Sequence, residues 1–117
     1  MNIKNLFYLF SLVFLIGCAP QPLFYWGDYS SSLYDYKKSP DEKTLAAHEK
    51  SLLDIIVTSP KKHLHVPPGI YAEYGYLLIN DGKENEGLEY FDKEIVLYPE
   101  SKVFVQRLKD ELARGKK

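Results

Sequence analysis

Residues Pro68–Ser101 read PGIYAEYGYLLINDGKENEGLEYFDKEIVLYPES, and this stretch of 34 residues decides the fold. Pro67 and Pro68, followed by Gly69, favour an extended approach and a fresh helix start. A helix is predicted from Ile70 to Asn80, broken at Asp81-Gly82. A second starts after Asn85, carries Leu88, Phe91 and Ile95 at helical spacing, and stops at Pro99. No convincing alternation of apolar and polar residues competes for a strand.

Thirty-four residues is also the period of a tetratricopeptide repeat, and the landmarks of the stretch resemble that repeat. Gly75 stands at the small position of its first helix, with Tyr71 and Tyr74 at the large aromatic and apolar positions and Leu78 at the usual Tyr or Leu. Gly82 stands at the turn, Phe91 at the second-helix aromatic, and Pro99 at the terminating proline. Gly87 and Glu94 depart from the pattern, which has Ala at both places. Gly87 keeps the small size at about 1 kcal/mol of helix propensity, whereas Glu94 disturbs stacking onto a following repeat. The resemblance implies that the first helix lines a concave surface presenting Ala72, Glu73, Tyr76, Ile79 and Asn80. Such a short groove suits a peptide or a helix of another protein. One repeat cannot bury both of its faces, so the flanking segments must cover it.

Those flanks also read as helical. After Pro99, Ser101 is expected to cap a last helix with Phe104, Leu108 and Leu112 on one face. Upstream, Trp26, Tyr29, Leu33 and Tyr36 share one helical face, which predicts a helix from Tyr29 to Lys38 with Asp28 as its N-cap. Ser39-Pro40-Asp41-Glu42 then offers a capping box with Ser39 as the cap, and a helix from Pro40 to about Thr58 follows, with Leu45, His48 or Glu49, Leu52, Ile55 and Ile56 recurring at helical steps. Ser59-Pro60 ends it, and residues 60–69, PKKHLHVPPG, form the main loop. The expected fold is all-α: a small helical-hairpin array of about five helices over residues 24–117, containing one tetratricopeptide-like repeat.

The first 23 residues have another character. Lys4 is the only charged side chain before Asp28, and a non-polar or small-residue stretch runs from Leu6 to Ala19 before Pro20 and Pro22 close it. Roughly 14 such residues fall short of the about 20 that a spanning helix needs, so the segment reads as a signal peptide. Leu15-Ile16-Gly17-Cys18 resembles a bacterial lipobox, and Cys18 is the only cysteine of the chain. The resemblance implies cleavage after Gly17, diacylglycerol on the Cys18 sulfur, and acylation of the new N-terminus by a chain such as palmitate. Residues 1–17 are then the lipoprotein signal peptide and residues 18–23 a lipidated tether. Each buried CH₂ adds about 0.8 kcal/mol to membrane affinity, and two or more chains anchor stably. Ala19, rather than Asp, follows the cysteine, which by the sorting rule of such lipoproteins implies the outer membrane, facing the periplasm.

The chemistry to be expected is binding rather than catalysis. The formal charge is −1 and no basic face is evident, which argues against a nucleic-acid partner. No nucleophile triad, phosphate loop or paired-carboxylate motif stands out, and neither enzyme activity nor a cofactor is expected. His63-x-His65, with His48 on the second helix, could ligate a metal, but no Cys or neighbouring carboxylate joins them and a solvated loop is the preferred reading. The aromatics from Phe24 to Tyr36 could stack on a cell-wall glycan, although their helical spacing favours packing, with Tyr25 left the most exposed. The lipobox, FYWGDYSSSLYDY (residues 24–36), the repeat-like core and LYPESKVF (residues 97–104) together resemble the uncharacterised bacterial lipoproteins grouped as domain of unknown function 4810. That resemblance implies an envelope lipoprotein and a partner similar to the curli secretion channel subunit. An adaptor that assembles or stabilises an envelope lipoprotein complex is the expected function, with cell-wall glycan binding as the alternative.

Overall fold

The computed structural model describes residues 2–4, 17 and 19–115. Cys18 and most of the expected signal segment, and with them the expected cleavage and lipidation, lie outside the described residues. Between residues 24 and 115 the chain forms α1 (Tyr29–Lys38), α2 (Glu42–Lys61), α3 (Ile70–Asn80), α4 (Glu84–Leu97), a 3₁₀ turn (Pro99–Ser101) and α5 (Lys102–Gly115), with no strand among the described residues. The all-helical expectation holds.

Local chemistry sets the helix ends and shifts several of the expected ones. Asp41, not Ser39, caps α2: its carboxylate accepts from Thr44 N–H at 2.8 Å, and Asp41 N–H donates to Thr44 Oγ1 at 3.1 Å. Ser39 is already committed, its N–H closing α1 on the Asp35 carbonyl. The helix continues through Pro60 to Lys61, three residues past the expected end. It stops where His63 takes the left-handed conformation (φ 57°) and Leu64 N–H reaches back to the Ser59 carbonyl, a Schellman ending. Gly82 (φ 84°) ends α3 in the same way, with Lys83 N–H on the Leu78 carbonyl. The fourth helix begins at Glu84, just before the expected start.

The array is organised around α3. On one side Leu52, Ile55, Val66 and Ile70 form a buried cluster joining it to α2. On the other, Ala72, Ile79, Phe91 and Val105 form a second, joining it to α4 and α5. Where α3 meets α4 the two backbones touch: a methyl on Gly75 would lie 2.6 Å from the Gly87 carbonyl oxygen, and one on Gly87 would lie 2.5 Å from that of Gly75. This close approach leaves room for no side chain at either place, and both are glycines.

Two further expectations are corrected. Val105 is the buried centre of the α5 face, flanked by Leu108 and Leu112, while Phe104 is 50% exposed at its edge. Ser101 does not cap α5; its hydroxyl donates to Glu94 Oε1 at 3.1 Å. The same oxygen accepts from Gly69 N–H at 2.8 Å, so the fully buried Glu94 ties the start of α3 to the entrance of α5. Glu94 therefore serves this fold as an internal acceptor for two helix ends. The Tyr98 hydroxyl fastens the same corner by donating to the Val66 carbonyl at 2.7 Å.

Candidate functional site

A groove of about 360 Å³ runs beside α3, between the start of α1 and the face of α5. Trp26 and Tyr29 form one wall, Phe104 and Leu108 the other, and Pro68, Gly69, Ile70, Glu73 and Tyr76 the floor. The wall residues come from distant parts of the chain: α5 packs on α3 directly, whereas α1 packs on α2 and reaches α3 through the Tyr29 side chain. Trp26 is held by the rings of Phe24 and Tyr29, at centroid distances of 6.3 and 5.5 Å, yet remains 43% exposed. Trp26 and Phe104, the latter 50% exposed, thus stay half in water on opposite sides of the groove.

Glu73 is the only charged residue lining the groove, and it is held from behind. The Tyr29 hydroxyl donates to Glu73 Oε2 at 2.8 Å, and His48 Nε2 donates to Oε1 at 2.8 Å. His48 is buried, 1% exposed, and its Nδ1 meets Ser32 Oγ at 2.9 Å. Because a carboxylate only accepts, Nε2 carries the proton of the bond to Glu73, while the Ser32 hydroxyl at Nδ1 also donates to the Tyr29 carbonyl at 3.1 Å. Four side chains from three helices form one chain of hydrogen bonds, Tyr29–Glu73–His48–Ser32. Burial, reinforced by the bond to Glu73, pushes the Tyr29 phenol up to about 12. Tyr36 stacks on the imidazole at 6.2 Å and closes the site on the α1 side.

The residues assigned to a concave face divide into three sets. Glu73 and Tyr76 line the groove. Ala72 and Ile79 are buried in the core, where α5 covers the face that a longer repeat array would leave open. Asn80 is exposed at the end of α3 and does not line the groove. The sequence reading missed Trp26, Phe104 and Leu108 as wall residues, since only the tertiary path brings them to Glu73. Among the histidines, His48 is a core residue, and His63 and His65 are exposed in the loop, His63 as the α2 terminator. No group of three His, Cys, Asp or Glu side chains among the described residues is placed to hold a metal ion. Tyr25, expected to be the most exposed aromatic, instead donates to Asp54 Oδ2 at 2.8 Å and packs on the α2 cluster; Tyr34, at 62%, is more open.

A family model described as Domain of unknown function (DUF4810) matches residues 23–108. The chain belongs to this family. The match begins at Leu23 and takes in α1 to α4 and the first half of α5, so both walls of the groove belong to the family's domain. No curated protein and no solved structure matches the chain. No helix among the described residues is long and apolar enough to cross a membrane.

Proposed function

We propose that this DUF4810 protein is an envelope lipoprotein, anchored in the outer membrane through Cys18 and facing the periplasm, that acts as a non-enzymatic adaptor. Its groove receives an apolar segment of a partner protein and so helps to assemble or stabilise a lipoprotein complex. The observation that carries this reading is the pair of half-exposed aromatics, Trp26 and Phe104, on either side of a groove whose single carboxylate is fixed from behind. Their rings supply the desolvated anchor area on which interfaces concentrate their binding energy, and Glu73 supplies one oriented acceptor. The short tether of residues 18–23 keeps the groove close to the bilayer, where another anchored protein is the nearest partner. A lipoprotein similar to the curli secretion channel subunit is the first candidate. Affinity capture from solubilised envelopes tests the binding: the parent should retain a discrete lipoprotein that Phe104→Ala loses while staying helical, and equal retention by both would remove the groove from the proposal. The intact mass of the native protein tests the anchor, since the mature chain should begin at a lipid-bearing Cys18.

The exposure of Trp26 and Tyr34 supports a second reading, a cell-wall glycan binder. Retention on purified peptidoglycan that disappears in Trp26→Ala would favour it over the adaptor.

A further inference from the structure

We propose that the polar cleft between α1 and α2, separate from the apolar groove, is a binding site for a linear polyamine. The cleft measures about 510 Å³; Asp28, Ser31 and Asp35 line it from α1 and its cap, and Lys50, Ser51 and Asp54 from α2. Three carboxylates face one ammonium there, so the cleft has an uncompensated negative charge. The decisive observation is Ser51: it lines the cleft, is only 8% exposed, and its hydroxyl has no hydrogen-bond partner. A buried hydroxyl left unpaired is unfavourable, and a donor entering the cleft would give it a partner once the Ser51 side chain turns toward it.

The spacing selects the kind of cation. Asp28 and Asp35 are seven residues apart, about 10 Å along the helix axis at 1.5 Å per residue. They do not converge on a point, consistent with the lack of any metal-holding trio among the described residues. A bare divalent ion placed at one carboxylate would leave the other unneutralised. An extended triamine such as spermidine carries terminal ammonium groups over a comparable length, each able to form a charge-assisted hydrogen bond. Asp28 is available for one of them, since its side chain makes no capping bond to α1. Asp54 is held by Tyr25 at 2.8 Å and by Thr58 at 3.1 Å, so it offers an oriented acceptor instead of a mobile one.

Isothermal titration of the full-length protein in detergent with spermidine tests this site. Saturable one-to-one binding is expected, weakened about tenfold in Asp28→Asn and in Asp35→Asn by loss of one charged hydrogen bond, and strengthened in Lys50→Gln, which removes the competing ammonium. Butylamine, with one ammonium, should bind at least tenfold more weakly, and magnesium at equal concentration should not displace spermidine. Trp26→Ala, which alters only the apolar groove, should leave the titration unchanged, so failure of the adaptor reading and failure of this site are read separately. Absence of saturable heat would overturn the proposal, as would unaltered affinity in both Asp variants with helicity intact, or displacement by magnesium, which would indicate simple charge screening.

Discussion

Replacing Gly87 by Ala tests how the repeat-like core is held. In an unconstrained helix this change stabilises by about 1 kcal/mol. Here the added methyl would lie 2.4 Å from Ile79 Cγ1 and 2.5 Å from the Gly75 carbonyl oxygen. The Ile79 side chain can rotate, but the carbonyl is backbone, so α3 and α4 must separate and loosen the contacts of Phe91 and Ile79. Forced overpacking of this kind costs about 1–3 kcal/mol, and backbone contact places Gly87 at the upper end. Net destabilisation of about 2 kcal/mol follows once the propensity gain is subtracted, or a fall in Tm of roughly 10 °C for a domain of this size. Thermal melts followed by circular dichroism at 222 nm measure it. Gly115→Ala is the control, because a methyl there meets nothing within 4 Å. A Gly87→Ala protein that melts at or above the parent temperature would refute the close helix crossing.

Three further predictions concern the buried polar groups. Glu94→Ala, which restores the residue usual in the repeat, should destabilise by about 2 kcal/mol in urea because Gly69 N–H and Ser101 lose their acceptor; Glu94→Gln, which keeps one, should lose less. His48→Phe keeps an aromatic ring but removes one of the two bonds to Glu73 and the one to Ser32, which retain Tyr29 as partner, and a loss of about 1–2 kcal/mol in chemical denaturation is expected. Tyr29 has its phenol raised to about 12 in the fold, so the native state retains a proton that the unfolded chain gives up near pH 10. Its contribution is complete below about pH 10 and is lost as the pH rises to about 12, so urea midpoints should fall across that window and Tyr29→Phe should flatten the fall.

The helices were legible because each carries its period and punctuation in the chain: Gly82 and Pro99 mark real ends, and Phe91, at helical spacing from Leu88 and Ile95, is fully buried with Ala72, Ile79 and Val105. Helix starts were less legible. Ser39 and Asp41 both suit a cap, and the choice turns on the Thr44 hydroxyl, which pairs with Asp41. The site was half legible. Glu73 and Tyr76 follow from the repeat, but the fate of Ala72 and Ile79 depends on α5 folding back over them, a long-range event with no local signature. Glu94 was visible as an anomaly, while its purpose needed the position of Gly69, 25 residues away. His48 had the spacing of a core residue, but its partners come from two other helices.

The most direct measurement places a photo-crosslinking residue at position 76, on the floor of the groove, in intact cells. The adaptor reading predicts one discrete crosslinked envelope protein, lost when the anchor is removed by Cys18→Ser and reduced by Phe104→Ala. A folded, membrane-bound protein that gives no crosslinked product from that position, or the same product without Cys18, would contradict it.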